Sequence, residues 1–179
     1  MLFRSEEFSS YDSLGAIYAL AVAPNQDFIA AAGGDGTVTL WQLGSGAKIA
    51  VLSGNVSSVQ SLAIAADSQI IAAGCVDGTV KIWQYDPEKS GHFAPIRVIN
   101  AHNGQVTSLL FGEEGQWLFT GGTDGEIKIW LANYQQAIAT LSTDDGRSSP
   151  ISSLVLSPDY CHLAAAAADG SITIWENIT

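Results

Sequence analysis

Four stretches of the sequence share one pattern: Gly34-Asp35-Gly36-Thr37-Val38-Thr39-Leu40-Trp41, Val76-Asp77-Gly78-Thr79-Val80-Lys81-Ile82-Trp83, Thr123-Asp124-Gly125-Glu126-Ile127-Lys128-Ile129-Trp130 and Ala168-Asp169-Gly170-Ser171-Ile172-Thr173-Ile174-Trp175. In each stretch the tryptophan lies six residues after the aspartate, and successive tryptophans are 42, 47 and 45 residues apart. Four such octapeptides do not fall into register by chance. The chain therefore contains four copies of one structural unit.

Each unit divides into short strands separated by turn residues, which predicts an all-β fold. A period near this length with four strands per unit is typical of β-propellers, so we predict four antiparallel, four-stranded blades. The first strands are predicted at 17–23, 59–65, 106–111 and 151–157, and the second at 28–33, 70–75, 118–122 and 163–167. The third strands end near the repeat tryptophans, and the outer strands are predicted at 48–52, 96–99 and 137–141.

Two local features of the units need a physical argument. The second strands are rich in alanine, which by itself favours helix. We nevertheless predict strands there, because small side chains allow neighbouring blades to approach closely. Each Asp-Gly pair is predicted to form a two-residue hairpin turn, because these residues tolerate the positive φ that such a turn needs.

Charge and composition argue against several classes of partner. The 179 residues include 18 acids and 7 Lys or Arg, a formal net charge of −11. Nucleic acids and anionic membranes attract cationic surfaces, so neither is expected as a direct partner. No apolar run approaches the ~20 residues that cross a bilayer, and Glu6 and Glu7 lie where a signal peptide would be apolar. We expect a cytoplasmic protein without membrane insertion.

The sequence contains no recognisable cofactor, metal or catalytic motif. Cys75 and Cys161 are far apart and lack zinc-ligand spacing, so both are expected to be buried, reduced thiols. The glycine-rich stretch 33–36 leads into a strand, whereas a phosphate-binding loop opens a helix. We therefore predict no cofactor, no metal ion and no catalytic residue.

From about Tyr11 to Glu176 the repeat resembles the WD40 family. The resemblance rests on the Asp-Gly and tryptophan positions, which recur in register. The family's Gly-His pair is represented here by Asp12-Ser13, Gly54-Asn55, Ala101-His102 and Gly146-Arg147, and its aspartate after the tryptophan by Gln42, Gln84, Leu131 and Glu176. Only the third unit keeps the histidine.

The resemblance implies structural roles for the shared positions. In the family, the histidine, the turn aspartate, a Ser or Thr of the second strand and the tryptophan form a buried hydrogen-bond network. His102, Asp124 and Trp130 are expected to form it here, with Thr120 as a candidate fourth member. The other turn aspartates are expected to bond local backbone amides. The residues predicted to be structural are Asp35, Trp41, Asp77, Trp83, His102, Asp124, Trp130, Asp169 and Trp175.

The repeat also predicts how the chain is divided. Residues 1–10 are expected to form a strand that closes the last blade, followed by units at 11–53, 54–100, 101–145 and 146–179, the last without an outer strand. We expect two copies to form an eight-bladed homodimeric ring, each N-terminal strand completing the partner's fourth blade. The alternatives are a heteromeric ring with another repeat protein and a closed four-blade monomer.

The function predicted from the repeat is a non-catalytic scaffold that binds other proteins through propeller loops. The alternative is an enzyme or a small-ligand-binding propeller with its site around the central channel, where His102 and Asp124 would provide a base. No nucleophile signature accompanies them, which favours the scaffold. The candidate protein-binding residues lie in loops expected at one end of the propeller: Tyr11, Asn55, Val76, His102, Thr123 and Arg147.

Two residues outside the repeat register have open roles. Trp117 either packs against a neighbouring blade or is an exposed binding anchor. His92 lies in the segment 85–95, predicted to be a solvated loop on one edge that either binds a partner or does not.

Overall fold

The computed structural model describes residues 15–54, 57–86, 92–112, 115–131, 136–142 and 148–177. These residues form four antiparallel sheets in which strands adjacent in sequence are also adjacent in the sheet. The predicted all-β fold of antiparallel propeller blades is confirmed. Within the same ranges, no helix is long and apolar enough to cross a membrane.

We number the sheets as blades 1 to 4 in chain order. Blade 1 contains β1 (Ile17–Val22), β2 (Phe28–Gly33), β3 (Val38–Gln42) and β4 (Lys48–Leu52). Blade 2 contains β5 (Val59–Ile64), β6 (Ile70–Cys75), β7 (Thr79–Asp86) and β8 (His92–Asn100). Blade 3 contains β9 (Val106–Phe111), β10 (Trp117–Gly122), β11 (Ile127–Leu131) and β12 (Ala139–Leu141). Blade 4 has three described strands, β13 (Ile151–Leu156), β14 (His162–Ala167) and β15 (Ile172–Glu176).

The second strands are extended despite their alanine content, as predicted. Ala30 and Ala32 of β2 are completely buried where blade 2 packs onto blade 1. The spacing between blades leaves no room for larger side chains. A Cβ atom at Gly74 of β6 would lie only 2.6 Å from Cγ1 of Val106 in the next blade. Tertiary packing therefore overrides the helix propensity of these segments.

The Asp-Gly turns are longer than predicted, and the two-residue hairpin is wrong. In blade 1, pairing resumes with Ala32 opposite Val38, and the amide of Gly36 donates to the carbonyl of Gly33 at 3.1 Å. Asp35 and Gly36 therefore end a four-residue turn instead of forming its centre. Gly36 has a φ of 78°, which belongs to the longer hairpins in which a residue of positive φ follows a β-turn.

The outer hairpin of blade 2 is also more extensive than predicted. Tyr85 pairs with Phe93 and Asp86 with His92, so His92 begins a strand and is exposed there. Phe93 explains the extension, because its ring lies 5.5 Å from that of Tyr85 and 5.8 Å from that of Phe28 in blade 1. Of the segment 85–95 that was predicted to be a loop, residues 85–86 and 92–95 therefore belong to strands, and residues 87–91 lie outside the described ranges.

Each blade packs face to face on the next one. We call the face toward the following blade the forward face and the opposite one the rear face. In the core between blades 1 and 2, Val38 and Leu40 of the forward face meet Val59 and Ile71 of the rear face. Equivalent residues form the cores between blades 2 and 3 and between blades 3 and 4.

The forward face of blade 4 is exposed. At the first forward position of the third strand, Val38, Val80 and Ile127 all have 0 % exposure, whereas their equivalent Ile172 has 72 %. Ile174, two residues further along the same face, is 65 % exposed. Blade 4 therefore presents to solvent the apolar face that blades 1 to 3 bury.

The inner strand of blade 1 shows the complementary pattern on its rear face. Val59, Val106 and Ile151 have 0 % exposure at the start of their inner strands, whereas the equivalent Ile17 has 52 %. Leu20 on the same face is 64 % exposed. The described part of the chain is therefore an open arc of blades whose two ends carry matching apolar faces.

Candidate protein-interaction face

The Asp-Gly turns and the segments that lead into the inner strands lie together at one end of the blades. The hydroxyl of Ser58 in blade 2 donates to the carbonyl of Gly34 in blade 1 at 3.0 Å. The amide of His102 in blade 3 donates to the carbonyl of Gly78 in blade 2 at 3.1 Å. An equivalent bond joins blades 3 and 4. The loops at this end therefore form one continuous hydrogen-bonded surface, which we call the turn face.

The turn aspartates outside blade 3 stabilise their own turns. Each carboxylate accepts a hydrogen bond from the amide two residues later, at distances from 2.9 to 3.0 Å, in Asp35, Asp77 and Asp169. Hydrogen bonds from Ser171 lower the pKa of Asp169. Burial would raise the pKa of Asp77, but the hydrogen bonds from Thr79 outweigh it and lower the pKa. The lowered pKa values keep Asp77 and Asp169 ionised, and these two carboxylates give the turn face a negative charge.

Blade 3 contains a continuous buried network at the same end. Nδ1 of His102 lies 2.9 Å from Oδ1 of Asp124, and Nε2 lies 2.7 Å from Oγ1 of Thr120. Nε1 of Trp130 donates to that same Thr120 oxygen at 3.1 Å. Because a carboxylate only accepts, Nδ1 carries the imidazole proton and Nε2 accepts from the threonine hydroxyl. The structure thus brings together all four residues that the resemblance implied.

The electrostatics of the network keep its histidine neutral and its aspartate ionised. Burial lowers the pKa of His102 below its ordinary value of 6.5, although the charge of Asp124 opposes this. Burial acts to raise the pKa of Asp124. Hydrogen bonds from the amides of Asn103 and Glu126, together with His102, outweigh burial and lower the pKa of this carboxyl.

The same group of residues is unsuited to metal binding or to acid–base catalysis. In the described ranges, atoms of His102, Asp124 and Glu126 come within 4.8 Å of one another. Both ring nitrogens of His102 already have partners, its side chain has 0 % exposure, and Glu126 pairs with Lys128 at 3.0 Å. The histidine has neither a lone pair for a metal ion nor access to a substrate. Its role is structural.

The predicted contact residues differ in accessibility. Val76 and Thr123 are half-buried on the turn face, where the amide of Thr123 donates to the carbonyl of Gln105 at 2.9 Å. His102 is buried in the network and has no surface for a direct contact. The remaining candidates, Tyr11, Asn55 and Arg147, lie outside the described residues.

A second surface feature was missed by sequence reasoning. A cleft of about 500 Å³ opens between blades 3 and 4, lined by apolar residues that include Trp117, Leu156 and Trp175. Trp117 lies at the mouth of this cleft and is 36 % exposed. This exposure is intermediate between that expected for a packed residue and that expected for an exposed binding anchor. Cys161 also lines the cleft and is exposed, so the prediction that both thiols are buried is wrong. Cys75 is buried, and burial raises its pKa. Trp117, outside the repeat register, was the only sequence signal for the cleft.

Comparison with known proteins agrees with the geometry. The family model described as "WD domain, G-beta repeat" matches residues 7–42, 46–84, 93–130 and 136–176. Among similar solved structures are "Crystal structure of RRP9 WD40 repeats" and "Structure of U3-55K", each with a TM-score of 0.76 and 24 % identity. The alignments cover 90 % of this chain but only 48 % and 49 % of those chains, so this chain spans about half of their length. No curated protein matches the sequence.

Proposed function

Because the chain belongs to the WD40 repeat family, we propose that it is a non-catalytic scaffold that binds other proteins through its turn face. The observation that carries this proposal is the hydrogen-bonded continuity of that face across blades. A surface whose loops are already joined loses little conformational freedom when a partner binds. The His102–Asp124 pair near it is shielded from solvent, and both ring nitrogens of His102 already have partners, which favours binding over chemistry.

The charge of the turn face indicates the chemistry of its partner. Asp35, Asp77 and Asp169 are exposed there, and the whole chain carries a formal charge of −11. Complementary charge raises the association rate and excludes partners of the same sign. The partner surface is therefore expected to carry Lys or Arg.

Charge changes on the turn face test this function. The variant Thr123→Arg adds a positive charge at a candidate contact of the turn face, and Thr140→Arg on the exposed outer strand β12 is the matched control. Proteins captured by the wild type should be lost by Thr123→Arg and retained by Thr140→Arg. If Thr123→Arg retains every partner, the turn face is not the binding surface.

A second copy of the chain completes the propeller in this proposal. Three times within the chain, a forward face like that of Ile172 and Ile174 packs onto a rear face like that of Ile17 and Leu20. The same packing between two copies would bury both exposed ends and give eight blades with two-fold symmetry. Left in water, such apolar faces favour aggregation.

In this ring, residues 1–10 of the second copy would supply the outer strand of blade 4. A cytoplasmic location belongs to the same proposal, because Cys75 and Cys161 are free thiols and reducing compartments preserve them.

Co-purification of two differently tagged copies tests the pairing. Copies mixed after partial unfolding and refolding should be recovered together in equal amounts. Recovery of one tag alone would contradict the homodimer, and recovery with a different repeat protein would replace it by a heteromeric ring.

A further inference from the structure

The segment that leads into the inner strand of blade 3 contains the only Asn-Gly pair of the sequence, Asn103-Gly104. Asparagine is a chemically labile residue. It is most labile before glycine, because glycine has no Cβ atom to shield its backbone nitrogen from the asparagine side chain. Asn103 is exposed on the turn face. Its side-chain carbonyl carbon is therefore accessible both to an unshielded backbone nitrogen and to water.

The fold itself requires glycine at position 104. A Cβ atom there would lie 2.3 Å from Oγ1 of Thr123, and φ of Gly104 is 155°, where other residues are strained. Oγ1 of Thr123 cannot move aside freely, because it accepts a hydrogen bond from the amide of Gln105 at 2.9 Å. The packing of the turn face thus keeps beside Asn103 the residue that makes it labile.

The surrounding structure does not restrain the two reacting groups. Neither the amide of Gly104 nor the side chain of Asn103 forms a hydrogen bond with another residue of the described ranges. Asn100, at the end of β8, is also exposed, but the residue after it is Ala101, which carries a Cβ atom. The amide of Ala101 donates to the carbonyl of Gly78 at 2.9 Å. Asn100 is therefore an internal control for Asn103.

We propose that Asn103 is a site of spontaneous deamidation, and that its isoaspartate product loosens the turn face where blade 3 meets blade 2. The nitrogen of Gly104 bonds to Cγ of Asn103, and the Cγ–Nδ2 bond breaks. The Gly104 nitrogen gives up its proton, which leaves with the amino group as ammonia. Water then hydrolyses the resulting succinimide ring. Opening at Cγ gives aspartate, and opening at the backbone carbonyl carbon gives isoaspartate, in which the main chain runs through Cγ. Water is the only co-reactant.

Both products place a new negative charge beside Asp124. The amide of Asn103 donates to Oδ2 of Asp124 at 2.9 Å, so the new carboxylate belongs to a residue in direct contact with this aspartate. A like charge nearby disfavours the ionised form of a carboxyl group. Nδ1 of His102 donates to the same carboxylate. The modification therefore acts on the buried network of blade 3 through its aspartate.

Isoaspartate also lengthens the main chain by a methylene group between Asn103 and Gly104. The residues that follow are held on two sides. The carbonyl oxygen of Gly104 lies so close to Gly78 of blade 2 that a Cβ atom there would be 2.8 Å from it. The amide and the carbonyl of Gln105 are both hydrogen-bonded to Thr123. The longer chain fits only if Gly104 moves away from blade 2 or the bonds to Thr123 break.

Peptide mass spectrometry after incubation of the purified chain for several weeks at neutral pH tests the site. Asn103 should gain the mass difference between a hydroxyl and an amino group, and an isoaspartate-specific methyltransferase should label it. Asn100 should stay unchanged in the same incubation. Asn103→Gln is the matched variant and should not be labelled, because glutamine keeps the backbone amide but would have to close a larger, less favoured ring. If the folded chain retains Asn103 as long as Asn100, while the denatured chain converts Asn103, the proposal is wrong.

Hydrogen exchange measures the effect of the modification on the turn face. In converted protein the amide of Thr123, which donates to Gln105 in blade 3, should exchange faster than in fresh protein. The amide of Val76, which makes the equivalent bond to Ser58 in blade 2, should be unchanged. Fresh Asn103→Asp adds the charge without the methylene group and should show a smaller increase. Unchanged exchange at Thr123 in converted protein would overturn the loosening, and an equal increase in fresh Asn103→Asp would overturn the role of the longer main chain.

Discussion

At the scale of single residues, the hydroxyl of Thr120 determines which blade holds a buried polar network. It accepts from Trp130 and donates to His102, so both partners are satisfied by one fully buried oxygen. The equivalent positions in the other blades are alanines: Ala31, Ala73 and Ala165. A histidine placed in those blades would lack this partner, and a buried unpaired ring nitrogen is costly. The histidine and the threonine are therefore both absent from blades 1, 2 and 4.

The neutral state of His102 predicts a pH-dependent stability. Its pKa is lower in the folded chain than its ordinary value of 6.5, so the unfolded chain binds the proton more tightly. Stability should therefore fall as the pH decreases below about 6.5. Denaturant unfolding at several pH values measures this loss. His102→Gln should reduce the loss between pH 6.5 and 5, whereas the same change at exposed His162 should leave it intact; equal curves for both would contradict the network's role.

The repeat tryptophans are predicted to stabilise packing. Trp83 is 1 % exposed, so Trp83→Ala should cost about 3–5 kcal/mol in the free energy of unfolding. Trp117→Ala, at the mouth of the cleft, is the matched control and should cost clearly less. Thermal or urea unfolding gives both values. An unchanged melting temperature for folded Trp83→Ala would refute the assignment.

At the scale of strands, identical sequence positions face different surroundings at the ends of the arc. Ile82 of β7 and Ile174 of β15 occupy the same position in blades 2 and 4, yet their exposures are 2 % and 65 %. Their side chains are the same, so the difference comes only from the presence of a following blade. The pair is a natural internal control for the proposed interface.

Glutamate at these two positions should therefore act in different ways. Ile82→Glu buries an unpaired charge and should destabilise the fold by about 3 kcal/mol or more. Ile174→Glu should leave the isolated chain folded but weaken its pairing with a second copy. Circular dichroism reports the fold and sedimentation velocity reports the pairing. If Ile174→Glu pairs as well as the wild type, the forward face of blade 4 is not an interface.

At the scale of strands, the bounds were predictable where the local repeat pattern sets them. They were mispredicted where a contact with another blade sets the length of the strand. The predicted bounds of β2, β6 and β9 agree with the structure. The length of β8 does not, because Phe93 is ordered by Phe28 in another blade. The turn length was missed because Asp-Gly fits both short and long hairpins. The cleft was missed because it depends on how two blades sit together, to which Trp117 alone gave a clue.

At the scale of the whole molecule, an arc of blades with two matching apolar ends carries a loop surface along one rim. The turn face crosses from blade to blade through hydrogen bonds, so it continues only where another blade follows. Completing the ring would therefore bury the exposed ends and extend the binding surface at the same time. Formation of the ring and binding of partners to the turn face are therefore coupled.

Light scattering coupled to size exclusion tests the proposed assembly most directly. One chain has a mass of 18.8 kDa, and the account predicts a species of twice that mass over a wide range of concentration. Ile174→Glu should shift the population toward the single-chain mass without loss of secondary structure. A stable, well-folded wild-type species at 18.8 kDa would contradict the ring formed from two copies.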